Sequence, residues 1–180
     1  MSVILTAQKV GGGSADWQTP PDLYARLNRR FRFGHDAIAS HENALCDRYS
    51  TADGTFHRVP GAGVFPGQFK GAREPDKLSS DDGLMLDWTG LRVWMNPPFT
   101  RGFIEQAVEK AYNERENAEI IVALLPAATE TRWFQNFILP HCDITWLPRR
   151  VRFINPETGE PGDSPTIGHV IAVFKSELLP

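Results

Sequence analysis

Apolar positions along the chain change their period several times. In "TPPDLYARLNRRF", residues 19–31, Leu23, Leu27 and Phe31 recur every four residues, with Tyr24 beside them. That spacing predicts an amphipathic helix. Thr19 is placed to cap it, Pro20 takes the first helical position, and Asp22 follows three residues after the cap. "FGHDAIAS", residues 33–40, is short and mixed, and reads as the end of a strand turning into a loop that bears Asp36. "LDWTGLRVWMNPPF" is a short strand running into a proline-rich turn. A second helix follows, with Thr100 as its cap and Phe103, Ile104, Ala107, Val108, Ala111 and Tyr112 on one side. "EIIVALLP" is a continuous apolar run of strand length, the pattern of a strand covered on both faces in a parallel sheet. Residues 129–139 predict a third helix with Trp133, Phe134 and Phe137 inward. "DITWL" and "HVIAVFK" are two more strands, joined by "PRRVRFINPETGEPGDSP", which is basic first and turn-rich later.

Helices thus alternate with strands, and the last two strands are joined by a loop. This order predicts an α/β fold with a mainly parallel central sheet and an antiparallel strand near the C-terminus. The 180 residues suit one domain. Residues 1–15, with their glycine run, read as a flexible lead, and 16–180 as the single domain. Residues 53–82 are rich in glycine and proline and lack an apolar period, so a long irregular insertion is expected there, with room for a small hairpin.

Composition narrows the class without choosing a function. Hydrophobic residues make up 41% and charged residues 23%, the values of an ordinary soluble domain. The net charge of −3 does not advertise nucleic-acid binding, but only a local basic patch is needed for it. No run is apolar and long enough for a membrane span, and no secretory leader is seen, so a cytoplasmic protein is expected. The two cysteines, Cys46 and Cys142, are expected to be reduced thiols. The five histidines show no metal-ligand spacing, and no metal is assigned.

The candidate chemistry sits in "VWMNPPF", residues 93–99. Two consecutive prolines stop a strand because they cannot donate to its ladder. In open α/β sheets ligands bind outside the carboxyl ends of strands, and this turn is at such an end. A planar amine such as the exocyclic group of a nucleobase is a poor nucleophile, because its lone pair is delocalised into the ring. Acceptors for both N–H groups would localise that lone pair. Asn96 offers a side-chain carbonyl and Pro97 a backbone carbonyl, with the geometry held by Pro97 and Pro98. Phe99 offers a ring on which a flipped base can stack.

With these residues the chain resembles the phage-type DNA N6-adenine methyltransferases, small enzymes that use S-adenosylmethionine. The resemblance runs from about residue 16 to 174. Its landmarks stand in family order: "DWQTP", "FGHDAIASHENALC", "DGL..DW", "VWMNPPF", "VALLPAATETRWF", "PRRVRF" and "DSPTIGHVIAVF". It implies a Rossmann-like class I methyltransferase fold, S-adenosylmethionine as cofactor and DNA as partner. Asn96, Pro97, Pro98 and Phe99 match the catalytic motif. Trp17, Gln18, Thr19 and Pro20 match the segment beside the methionine end of the cofactor. Asp36 is implied to contact its ammonium or its ribose, and Asp87 to read its adenine amino group. The implied reaction is methyl transfer to adenine N6 in DNA, with protection of phage DNA from restriction as its use. The chain departs from the family at Phe99, where tyrosine is common, and at Arg149, where glycine is expected.

Arg149, Arg150 and Arg152, beside Phe153, are candidates to grip phosphates; a solvated basic strand edge is the other reading. The same chemistry on cytosine N4, on RNA adenine or on a protein glutamine is the nearest rival. A non-catalytic nucleic-acid binder that kept the fold is the rival from another class. Target sequence, oligomeric state and single- or double-stranded substrate are not encoded in any motif found.

Overall fold

The computed structural model describes residues 17–40, 43–51, 56–58, 76–79, 84 and 86–174. The expected lead at 1–15 lies outside the described residues, and the expected insertion at 53–82 is described only at 56–58 and 76–79.

The elements in chain order are α1 (Pro21–Phe31), β1 (His35–Ala39), β2 (Arg48–Thr51), β3 (Phe56–Arg58), β4 (Asp76–Ser79), β5 (Arg92–Met95), α2 (Phe103–Glu114), β6 (Ile120–Pro126), a π-helical segment (Phe134–Ile138), β7 (Cys142–Trp146) and β8 (His169–Phe174). All eight strands join one mixed sheet in the order β4-β3-β2-β1-β5-β6-β8-β7. Its centre, β2-β1-β5-β6, is parallel. β8 runs antiparallel to both β6 and β7, which supplies the antiparallel strand expected near the C-terminus. At the other edge β3 pairs antiparallel with β2 and with β4, so part of the glycine-rich segment is sheet.

Alternation along the strands sorts the core into two layers. Val93, Met95, Ile121, Ala123, Leu125, Val170 and Ala172 pack with Ile104, Ala107, Val108 and Ala111 of α2 and with Phe134 and Ile138. Trp94, Val122, Leu124 and Ile171 point the other way and pack with Leu23, Tyr24 and Phe31 of α1 and with Val151. Every residue of β6 from Ile121 to Pro126 is buried, as its unbroken apolar run requires when helices cover both faces. Cys46 and Cys142 are both buried and form no disulfide.

Three local expectations change. α1 begins at Pro21, its N-cap is Pro20, and no side chain caps it; Thr19 is engaged elsewhere. α2 is not capped by the Thr100 hydroxyl. Gly102, at φ 87°, takes the cap position, and Glu105 accepts a hydrogen bond from its amide at 2.6 Å. Glycine is suited to that backbone because a Cβ is strained at positive φ. The third helix is wound as a π-helix over residues 134–138, which still turns Phe134 and Ile138 into the core.

Candidate functional site

The strand order reverses at β1: β2 lies on one side of it and β5, the next parallel strand, on the other. Such a switch point leaves a crevice between the loops that follow the two strands. A crevice is present here, lined by Trp17, Gln18, Thr19, Asp36, Ile38, Asn43, Leu45, Trp94 and Asn96. Five of the residues singled out from the sequence, separated by up to 79 positions, are thereby brought to one place.

Asn96 directly follows β5, where the prolines end the ladder. Its Nδ2 donates to the Thr19 hydroxyl at 3.1 Å. Its Oδ1 is buried and has no hydrogen-bond partner among the described residues. A buried carbonyl left in this state is costly in an apolar interior and is ready to accept a donor. Pro97 is buried, and Phe99 is exposed enough at 37% for its ring to stack with a ligand.

Asp36 belongs to β1 and is 3% exposed. The Leu45 amide donates to its Oδ2 at 3.1 Å, while Oδ1 has no hydrogen-bond partner among the described residues. Burial pushes its carboxyl up to about 7, and the backbone amides of Leu45 and Ile38 only partly oppose this. A carboxyl so placed favours any ligand that brings a cation or a hydroxyl donor. Two spare oxygens, on Asp36 and Asn96, thus line one narrow crevice of about 10 Å³, and their chemistry suits hydrogen-bond donors such as an ammonium, a hydroxyl or an amine.

The segment at residues 17–19 is held from outside by the loop between β7 and β8. Gln18 and Ile154 exchange backbone hydrogen bonds at 3.0 and 2.9 Å, and Ile154 also bridges to Pro161. The same loop brings Phe153 to Phe99, edge to face with centroids 5.8 Å apart. His169, at the start of β8, lies 5.6 Å from the Phe99 ring and 5.3 Å from Phe153. Burial lowers the His169 pKa, which favours the neutral imidazole among these rings. Sequence pattern gives neither His169 nor Gly162 a part. The histidine is visible there only as the polar first residue of an apolar strand, and its ring neighbours come from the loop before it and from the distant turn at Phe99.

Two sets of expected residues stand elsewhere. Asp87 is exposed in the turn before β5, at the opposite end of that strand from Asn96. Its carboxylate accepts from the Thr89 amide at 2.8 Å and from the Thr89 hydroxyl, which hold its pKa down. It is a turn-forming residue in this structure and does not line the crevice. Arg149, Arg150 and Arg152 are exposed on the β7–β8 loop. Arg152 donates from Nε to the Gly162 carbonyl at 2.9 Å, whereas Arg149 and Arg150 form no ion pair among the described residues. Pro20 borders the start of α1 as its N-cap.

A larger cavity, about 440 Å³, opens at the amino ends of the strands between Tyr24, Cys46, Arg48 and Arg92. It contains none of the expected site residues, and nothing in its lining converges on a reactive group. Among the described residues no cluster of three or more His, Cys, Asp or Glu side chains could hold a metal ion, and no helix is long and apolar enough to cross a membrane.

Residues 77–178, more than half of the chain, match the family model described as DNA N-6-adenine-methyltransferase (Dam). The chain is 27% identical to a DNA N-6-adenine-methyltransferase of Escherichia phage T1, an alignment covering 88% of this chain and 62% of the relative. It is 30% identical to a protein of the same name from Haemophilus phage HP1 over 51% of this chain and 53% of the relative. The chain therefore spans between half and two thirds of the length of these curated relatives. The matched region takes in the turn at residues 96–99, α2, β6, the basic loop and β8, and the chain belongs to the DNA N-6-adenine-methyltransferase (Dam) family.

Proposed function

We propose that this protein transfers a methyl group from S-adenosylmethionine to the exocyclic N6 amine of adenine in DNA. The observation that carries the reading is the pair of unpartnered, buried oxygens in one crevice, on Asn96 at the end of β5 and on Asp36 of β1. Family membership names the acceptor class, and the two relatives are named for that activity. The sheet order, parallel through β2-β1-β5-β6 with β8 reversed, supports a Rossmann-like class I methyltransferase fold.

In this reading S-adenosylmethionine, when bound, supplies a methyl group on a sulfonium, electrophilic enough for direct in-line transfer. Asp36 holds the ammonium or a ribose hydroxyl through its spare oxygen, and Trp17 to Pro20 wall the methionine end. Asn96 and Pro97 accept the two N–H groups of the adenine amine through their carbonyls. This draws the nitrogen toward pyramidal geometry and localises its lone pair. Asn96 is neutral, so it stabilises the positive charge that develops on the amine. As the N–C bond forms the donor's S–C bond would break, leaving a neutral thioether, and the amine's extra proton then passes to water. Phe99 stacks on the base once it has left the helix, an excursion costing a few kcal/mol in duplex DNA. Arg149 and Arg150 contact backbone phosphates, with Arg152 beside them. Asp87 has no part in the crevice. Protection of phage DNA from restriction is the biological use this activity would serve.

Incubation with methyl-labelled S-adenosylmethionine tests the reading against its rivals. DNA lacking adenine methylation, RNA and a glutamine-bearing protein are offered separately. Label is expected in DNA; label only in RNA or protein contradicts the assignment. Calorimetry with S-adenosylmethionine tests the remaining rival, because absence of cofactor uptake would assign the chain to a binder that merely kept the fold.

A further inference from the structure

Gly162 lies in the β7–β8 loop, outside the crevice, and its φ is not in the left-handed range that favours glycine. The backbone therefore gives no reason for glycine there. A neighbour does. A Cβ at position 162 would overlap Cζ3 and Cη2 of the Trp17 indole and stand 3.2 Å from Cε3. The indole thus lies directly against the bare backbone of this residue. That backbone is itself fixed at both ends: the Gly162 amide donates to the Phe153 carbonyl at 2.8 Å, and its carbonyl accepts from Arg152 Nε at 2.9 Å.

We propose that Gly162 is a positioning residue for methyl transfer: its missing side chain seats Trp17 and so holds Thr19 against Asn96. The linkage runs through contiguous contacts. Trp17 rests on Gly162, Gln18 is bridged twice to Ile154, and Thr19 accepts from Asn96 Nδ2. Phe153, bonded to the Gly162 amide, meets Phe99 on the far side of the same turn. One small surface on the loop therefore sets the plane of the Asn96 amide from one side and the pose of the Phe99 ring from the other. Adding a methyl group at residue 162 must move Trp17 or the loop, because ring carbons cannot give way as a flexible side chain does. This inference rests on the proposed reaction for its catalytic consequence, though not for the linkage itself.

Hydrogen exchange in the ligand-free protein reads the linkage directly. In Gly162→Ala the amides of Gln18 and Ile154 should exchange about tenfold faster or more, as expected when overpacking opens a local contact. Amides of β6 and β8 should keep their wild-type rates. In turnover with S-adenosylmethionine and DNA, kcat for Gly162→Ala should fall between about tenfold and a hundredfold, since misplacing reacting groups by an ångström costs about that much. In a Trp17→Leu background the alanine should add no further change in exchange, because the smaller side chain leaves room for it. Wild-type exchange at Gln18 and Ile154 in Gly162→Ala overturns the proposal, as does an equal acceleration with and without the indole. The exchange arm uses neither donor nor DNA, so its failure is separate from a failure of the proposed reaction.

Discussion

Asp36 is the residue whose protonation state most directly links the site to solution conditions. Burial raises its carboxyl from 3.8 to about 7. Between those values the folded chain keeps a proton that the unfolded chain has already released, so Asp36 makes stability fall as pH rises through that window. His35, fully buried and hydrogen-bonded to Ser50 at 3.2 Å, is shifted the other way, from 6.5 to about 4. The unfolded chain then holds the extra proton, and this group makes stability rise with pH over nearly the same range. The wild-type profile alone therefore conceals both. The difference between Asp36→Asn and wild type isolates the carboxyl: the variant should gain relative stability from pH 4 to pH 7.5, by on the order of 3 kcal/mol at about 1.4 kcal/mol per pH unit. Urea unfolding at several pH values measures this, and a pH-independent difference would refute a raised Asp36 pKa. Both the aspartate and Asn96 are legible in the sequence because their neighbours make recognisable strings. Their spare oxygens are not, because whether such an oxygen is satisfied depends on chain segments dozens of residues away.

At the scale of elements, the β7–β8 loop does more than its basic start announces. It combines exposed Arg149 and Arg150, the backbone bridge to Gln18, and Phe153 against Phe99. Charge alone groups Arg152 with its neighbours, yet its Nε is engaged by the Gly162 carbonyl. Replacing Arg149 and Arg150 together by alanine should weaken DNA binding and lower the slope of log K against log salt by about 1.8, at about 0.9 for each phosphate no longer neutralised. S-adenosylmethionine affinity should be unchanged. An unaltered salt slope would assign these arginines to a solvated edge. Sequence pattern does less well wherever a tertiary contact overrides a local rule. Thr19 looks like a helix cap, and its hydroxyl instead accepts from Asn96, on a distant part of the chain.

For the whole molecule, the α/β class and the parallel centre are legible because β6 is apolar on both faces and α1 and α2 carry clear helical periods. The edge pair β3 and β4 is harder to see, since each strand is only three or four residues long within a glycine-rich stretch. What the fold contributes to function is a meeting of distant segments: residues 17–19 before α1, Asp36 in β1 and Asn96 after β5 share one crevice at the switch point of the sheet. The proposed reaction turns on Asn96 activating an adenine amine in that crevice. It is tested by treating DNA that lacks adenine methylation with S-adenosylmethionine and either wild type or Asn96→Ala, then digesting to nucleosides for mass spectrometry. Wild type should form N6-methyladenine, and the variant should lose about a hundredfold or more in its rate of formation, at unchanged cofactor affinity. N4-methylcytosine as the product, or wild-type rates from Asn96→Ala, would contradict the proposed reaction.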